Sequence, residues 1–317
     1  MIRLENLTKV FELADRTVVA ADNISLEVPD GELCVLLGPS GCGKTTVLKM
    51  INRIVPATSG TVYIDGKDTS DVDTVTLRRN LGYVIQQIGL FPNMTVEENI
   101  SVVPRLLGWD QSKRKQRAAD LLDMMALDPS EFLQRYPKEL SGGQQQRIGV
   151  ARALAADPPV LLMDEPFGAI DPINRKSIQD EFLLMQKELR KTILFVSHDI
   201  DEAVKMGDKI AILRDGKLEQ FATPDDLLAH PDSDFVASFL GSDRTLKRLQ
   251  ILMVCDAMDR RIPVLRAGDT LEKAGGLMKD SGYHELVVLD SDNRPIGYLQ
   301  LDDINGQQGV VEHHSRP

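Results

Sequence analysis

Apolar positions along the chain follow two periods. Near the start, Arg3-Leu4-Glu5-Asn6-Leu7 and Ile24-Ser25-Leu26-Glu27-Val28 alternate, the spacing of strands with one buried face. The second segment ends at the turn Pro29-Asp30-Gly31. Three unbroken apolar runs follow later: Leu33-Cys34-Val35-Leu36-Leu37, Val160-Leu161-Leu162-Met163 and Thr192-Ile193-Leu194-Phe195-Val196. Runs this short suit strands buried on both faces. Gly60 to Gly66 reads as a strand entering an Asp-Gly turn, and Leu81 to Gln86 as another strand. Lys209–Arg214 and Lys217–Phe221 flank Asp215-Gly216 and read as a hairpin.

Helical spacing fills the gaps. Thr46 to Ile51 suits the first turns of a helix. Residues 92–150 are mostly helical, with Thr95 and Glu98 placed as a capping box and Leu121 to Leu127 as an amphipathic stretch. Ser141 opens a helix that Asp157-Pro158-Pro159 stops, and a long helix runs from Pro172 to Arg190. Strands alternating with helices predict a parallel sheet wrapped on both faces. The pattern lapses over 241–255, a polar and then mixed basic-apolar connector. It restarts with a short strand at Pro263-Val264-Leu265, a helix from Leu271 capped by Thr270, and two strands at Glu285–Asp290 and Ile296–Leu299. The expected division is 1–240, 241–255, 256–305, and a disordered tail over 306–317. His313-His314 reads as solvated tail rather than a metal site.

Composition narrows the field. The 317 residues are 42% hydrophobic, enough for one large α/β domain and a small second one. A net charge of −11 argues against binding nucleic acid by bulk charge. Met1-Ile2-Arg3-Leu4-Glu5-Asn6 does not read as a signal peptide, and no apolar run approaches the roughly 18–20 residues of a membrane span. Any membrane role is therefore expected to work through a partner. The three cysteines form no metal-type pair, and a reduced thiol is expected at Cys42, which points to the cytoplasm.

Chemistry enters with Gly38-Pro39-Ser40-Gly41-Cys42-Gly43-Lys44-Thr45, a G-x-x-x-x-G-K-T phosphate loop between strand and helix. Its glycines let backbone N–H groups turn around a phosphate, and the helix end adds its dipole. Lys44 is expected to reach the β- and γ-phosphates, and Thr45 to hold Mg²⁺. By chance alone the pattern falls in roughly 1% of chains this long, and its strand–loop–helix context lowers that further. Asp164 and Glu165 close an apolar strand, where an Asp can hold Mg²⁺ and the following Glu can polarise an attacking water. A third feature, Leu140-Ser141-Gly142-Gly143-Gln144-Gln145-Gln146-Arg147, places a second anion-binding helix start in the same chain.

In combination these motifs resemble those of ABC ATPases over residues 2–240. The resemblance implies a RecA-like core, an antiparallel β subdomain and a helical subdomain. It also implies that Ser141, Gly142, Gly143 and Gln144 complete the ATP site of a second copy of the chain. Carried over position by position, Gln86 matches the glutamine that contacts Mg²⁺ beside the membrane partner, with Gln87 as its neighbour and alternative. His198 matches the histidine that senses the γ-phosphate, Asp171 the aspartate that communicates across the dimer, and Phe11 the aromatic that stacks on adenine. Thr46 joins the loop's ATP contacts. Cys42 replaces a common Ser or Ala, and Ile170 is a hydrophobic variant; neither disturbs the pattern.

Within the family, Met50-Ile51-Asn52-Arg53, Tyr83 to Pro92 and Asp243 to Arg248 resemble the ATPases of glycine betaine, carnitine and choline importers. That likeness implies permease partners, an extracytoplasmic solute-binding protein and a place on the cytoplasmic face of the membrane. It leaves open another small solute, such as an amino acid, or a soluble non-transport ABC ATPase. Pro263-Val264, His284 to Asp290 and Gly297 to Leu299 resemble a small α+β CBS module. Such modules work in pairs, and one complete copy is visible, so a pair could form between two subunits. Gln300 stands where the ribose-binding hydroxyl would be, while Asp303 is kept. Nucleotide sensing, ionic-strength sensing and a structural role stay open for the module.

Overall fold

In a computed structural model of the chain, residues 1–86, 89–168, 170, 172–253, 262–304, 309–311 and 315 are described. They divide into two compact units, Met1–Ile251 and Leu252–Pro317.

The first unit opens with β1 (Ile2–Glu12) and β2 (Thr17–Val28), paired antiparallel. The sequence places Phe11 between two short segments, whereas β1 continues through it and pairs Phe11 with Val18. Register shifts near Leu7 and Lys9 break the two-residue period, so side-chain alternation fades while backbone pairing persists. After β3 (Leu33–Leu37) and α1 (Lys44–Ile51), β4 (Ser59–Ile64) and β5 (Lys67–Asp68) complete a four-stranded sheet in the order β2-β1-β4-β5.

A helical segment lies between β6 (Leu81–Val84) and β7 (Val160–Asp164). It includes α3 (Val96–Ile100), α5 (Gln111–Met124) and α7 (Gly142–Leu154); α2 (Thr74–Arg79) precedes β6, and α4 (Val102–Leu106) and α6 (Pro129–Phe132) are short. Thr95 caps α3 through the expected capping box with Glu98. Then come α8 (Pro172–Leu189), β8 (Thr192–Val196), α9 (Ile200–Met206) and the hairpin β9 (Lys209–Arg214) and β10 (Lys217–Ala222).

The second sheet runs β10-β9-β3-β8-β7-β6, parallel except for the β9–β10 hairpin. All five residues of β3 are buried, and they alternate between two cores. Val35 and Leu37 pack with the helical side, while Cys34 and Leu36 pack with α1 and the antiparallel sheet. That explains an unbroken apolar run in place of an alternating one. Burial also pushes the Cys34 thiol well above its usual range.

Three helices end this unit: α10 (Pro224–Ala229), α11 (Asp234–Leu240) and α12 (Arg244–Ile251). The last lies in the stretch read from sequence as connector. No helix among the described residues is long and apolar enough to cross a membrane.

The second unit holds β11 (Leu265–Arg266), α13 (Leu271–Ser281), β12 (Glu285–Leu289) and β13 (Pro295–Gln300), with sheet order β11-β12-β13. Its strand starts at Leu265, later than the expected Pro263, because pairing begins with Leu265 opposite Val288. Leu271, Met278, Leu286, Val288 and Leu299 form its core. Val311 is buried there too, and Val310 bridges Thr270. The stretch past 305, expected to lack structure, thus supplies an apolar residue to this core. His313 and His314 lie outside the described residues.

Candidate ATP site

The phosphate loop spans the gap between the carboxyl end of β3 and the start of α1, and two of its glycines leave no alternative. Gly43 takes φ 104° at the helix N-cap, and a Cβ there would lie 2.0 Å from the Ala20 carbonyl oxygen. Gly38, at φ 150°, would place a Cβ 2.1 Å from the Leu213 carbonyl oxygen. The loop is threaded between backbones of both sheets, which a side chain would push apart. Lys44 is buried, and its ammonium donates to the carbonyls of Gly38 at 2.6 Å and Pro39 at 2.9 Å. Its Nζ also lies 3.7 Å from Cys42 Sγ. A cleft of about 260 Å³ opens over the loop, lined by Ala20, Ser40, Gly41, Gly43, Lys44, Thr45, Thr46 and Glu165.

The carboxyl ends of β6, β7 and β8 bring three more groups to this place. Thr45 Oγ1 donates to Asp164 Oδ1 at 2.9 Å. Asp164 is buried, and burial raises its carboxyl above the usual range, opposed by the bond from Thr45. Gln86 Nε2 donates to Glu165 Oε2 at 2.9 Å. His198 Nδ1 stands 3.5 Å from Glu165 Oε1. The Glu165 backbone takes φ 47°, a left-handed conformation costly for a residue with a Cβ. Glu165 N–H donates to the Val196 carbonyl at 3.0 Å, which holds that turn against β8.

Other expected site residues lie elsewhere. Ser141 is the N-cap of α7, accepting from Gln144 N–H at 3.3 Å while Gln144 Oε1 accepts from Ser141 N–H at 2.9 Å. Gly142 and Gly143 form the first turn of that helix. None of Ser141–Gln144 lines the cleft over the loop, and neither does Phe11, which lies on β1 with Lys9 Nζ 5.0 Å from its ring centre. Gln87 and Asp171 fall outside the described residues.

One arrangement was not read from the sequence. Ser197, beside His198, bonds the buried carboxylate of Glu202, which Gln179 of α8 also reaches. Glu202 follows His198 by four positions, in the first turn of the next helix, but only the depth of burial marks the glutamate as part of the site's support. Ala20, a wall of the cleft, has a side chain without functional chemistry and carries no sequence signal.

The ABC transporter family matches residues 21–168, and the CBS domain family matches residues 254–306. The osmoprotectant import ATP-binding protein OsmV of Salmonella typhimurium is 58% identical over 319 residues, covering 100% of this chain and 84% of the relative. The chain belongs to the ABC transporter family. The glycine betaine/carnitine/choline transport ATP-binding protein OpuCA of Bacillus subtilis is 49% identical, over 96% of this ABC chain and 80% of the relative. Among solved structures, the dimeric post-hydrolysis state of the ATP-binding cassette MJ0796, bound to ADP and Pi, superposes with a TM-score of 0.64 at 36% identity. It covers 71% of this chain and 99% of that one. The fold is that of an ABC ATPase, with a CBS domain after it.

Proposed function

We propose that this chain is the ATP-hydrolysing, energy-coupling subunit of a membrane importer, and that its cargo is osmoprotectant quaternary amines such as glycine betaine, choline or carnitine. The observation that carries the enzymatic reading is the convergence on Glu165. One carboxylate oxygen meets Gln86 and the other faces His198, at the rim of a cleft walled by the phosphate loop. The cargo is supported by the relatives' names alone, since a nucleotide site carries no solute chemistry.

In this reading the loop's N–H groups and the start of α1 bind the ATP phosphates, and Lys44 exchanges its two carbonyl partners for phosphate oxygens. Phe11 stacks on the adenine. Thr45 Oγ1, Asp164 and the Gln86 amide oxygen are all oxygen donors, which suits a hard cation such as Mg²⁺. No cluster of three or more His, Cys, Asp or Glu that could hold a metal occurs among the described residues, which suits a cation held jointly with phosphates. When bound, Mg²⁺ supplies positive charge beside the phosphate oxygens. Glu165 orients the attacking water and takes its proton, and His198 and Lys44 stabilise charge on the transferred phosphoryl.

Ser141 and Gly143 act on the nucleotide of a second copy, Asp171 relays between copies, and the chain reaches the cytoplasmic face of the membrane by docking on permease subunits. A solute-binding protein outside delivers the cargo, and nucleic acid has no part. Phosphate release by the purified chain, against Glu165→Gln, tests the enzymatic half. A drop of about 10² or more with ATP binding retained is expected, and near-normal turnover removes Glu165 from its role. Solute binding by the partner binding protein tests the cargo, and tight binding of an unrelated solute with none of the three amines bound overturns it.

A further inference from the structure

Helix α9 starts two residues past His198; beside the apolar contacts of Ala203, Val204 and Met206 with the core, it is fastened to the body of the protein by a buried polar cluster. Glu202, in its first turn, is 8% exposed, and both carboxylate oxygens are taken. Oε1 accepts from Gln179 Nε2 of α8 at 2.9 Å. Oε2 accepts from the hydroxyl of Ser197, which is 1% exposed. The Ser197 hydroxyl oxygen in turn accepts from Asp199 N–H at 3.0 Å. Asp199 Oδ1 caps α9 through the N–H groups of Asp201 and Glu202.

The residues on either side of His198 are therefore both bonded into one cluster centred on Glu202. On the α8 side the cluster continues toward the other catalytic loop. Arg175 Nη2 donates to the Ile170 carbonyl at 2.9 Å, five residues past Glu165, and Nη1 lies 4.0 Å from Asp199 Oδ2.

Among the described residues no cation bonds this carboxylate, and a buried carboxylate so placed is costly to keep unless it does something a hydrophobic residue could not. Here it fixes the height and rotation of the loop from which the imidazole projects. We infer that Glu202 is a positioning residue for ATP hydrolysis: through Ser197 it holds His198 at its distance from Glu165, and through Gln179 it references that position to α8. Burial raises the Glu202 carboxyl above its ordinary range, so a neutral amide of the same shape suits the site. The inference rests on the ATPase reading given above.

The test compares four purified variants with the wild-type chain for kcat, the KM for ATP and thermal stability. Glu202→Ala is expected to lower kcat about tenfold or more, with KM within about twofold, because misplacing a catalytic group acts on the chemical step. Glu202→Gln restores most of that kcat by keeping both hydrogen bonds, with the Ser197 hydroxyl turned to accept. Ser197→Ala lowers kcat in the same way as Glu202→Ala. Asp180→Asn serves as the control. It removes the charge from the Asp180–Lys205 pair, 2.7 Å long, between the same two helices, while both partners of Glu202 stay in place, and is expected to leave kcat unchanged. If Glu202→Ala lowers the Tm but leaves kcat intact, or if Glu202→Gln is as slow as Glu202→Ala, the positioning role is wrong. If the wild-type chain releases no phosphate from ATP at all, the ATPase reading fails first, and that result is separate from either.

Discussion

Gln86 Nε2 and Glu165 Oε2 are joined by a 2.9 Å hydrogen bond across 79 residues of sequence, from the end of β6 to the end of β7. The bond ties the loop after β6 to the carboxylate expected to take a proton. A shift of Gln86 is thereby felt at Glu165. Gln86→Ala is expected to lower phosphate release about tenfold, less than Glu165→Gln, because the amide orients the base without holding the proton. Steady-state kinetics on both variants decide the order. Equal losses would mean that Gln86 does more than orient Glu165, as loss of the proposed Mg²⁺ contact would.

The two kinds of glycine in the phosphate loop separate in stability. A Cβ on Gly43 meets the Ala20 carbonyl oxygen at 2.0 Å, while one on Gly41 meets nothing within 4 Å. Both have positive φ, so each Ala substitution costs about 1–2 kcal/mol of backbone strain. Gly43→Ala adds a backbone clash, and its loss is expected to exceed that of Gly41→Ala by about 2 kcal/mol or more, with nucleotide binding abolished. Urea denaturation of the two variants measures the difference.

As the proposed Mg²⁺ ligand, Asp164 would give up stability for function. Its native carboxyl titrates above the ordinary Asp value because it is buried. Protonation therefore favours the folded state. The group's contribution is most favourable below the unfolded value of 3.8 and is lost as pH rises through the raised native value. Asp164→Asn keeps an oxygen to accept from Thr45 and removes the charge. It is expected to raise Tm by about 2–4 °C at neutral pH, with an advantage that vanishes toward pH 4, and to abolish Mg²⁺-dependent hydrolysis. Tm measured from pH 4 to 8 without divalent cation checks the sign; an advantage that grows as pH falls would contradict it.

Much of this site is legible in the chain because its chemistry is local in sequence. Gly38–Thr45 sets its own geometry, and Asp164 and Glu165 are adjacent. The buried strands announce themselves as unbroken apolar runs, since β3 feeds two cores with alternate residues. What escapes is held by distant partners. Phe11 belongs to a strand whose register shifts erase its period. Glu202 looks like an ordinary helix glutamate until Ser197 and Gln179 are placed around it. Val311 is buried by a fold completed only after residue 300. A short apolar pair in a polar tail carries no periodicity to read.

Helix α12 is held to the rest of its unit by Ile251, which packs against the main core, and by charge. Lys247 Nζ lies 2.8 Å from Asp201 of α9 and 2.7 Å from Asp243, and Arg248 forks onto Asp225 at 2.6 and 3.2 Å. Outward-facing Leu246 and Leu249 add nothing to the attachment. Lys247→Ala is expected to cost about 1 kcal/mol at low ionic strength. Most of that difference should disappear near 1 M salt, where the Debye length is about 3 Å. Denaturation at the two salt concentrations measures it, and a salt-independent cost would mean that packing of the lysine stem dominates.

Ser141, the N-cap of α7, does two jobs in the proposed reading. Its capping box with Gln144 stabilises the helix within one chain. Its hydroxyl and the first-turn N–H groups are also assigned to a nucleotide bound by a second copy. The cleft over the phosphate loop, whose lining includes none of Ser141–Gln144, fits that division. Loss of the cap alone costs about 1 kcal/mol and would weaken each chain independently of its partner. The two jobs come apart in mixtures. Chains carrying Lys44→Ala and chains carrying Ser141→Arg are each expected to be inactive alone. In a symmetric dimer formed from one of each, one site collects both defects and the other has an intact phosphate loop facing an intact Ser141. Mixing the two inactive proteins under conditions that exchange subunits should therefore restore phosphate release. No recovery, with mixed dimers demonstrated by differential tagging, would mean that Ser141 serves only its own chain.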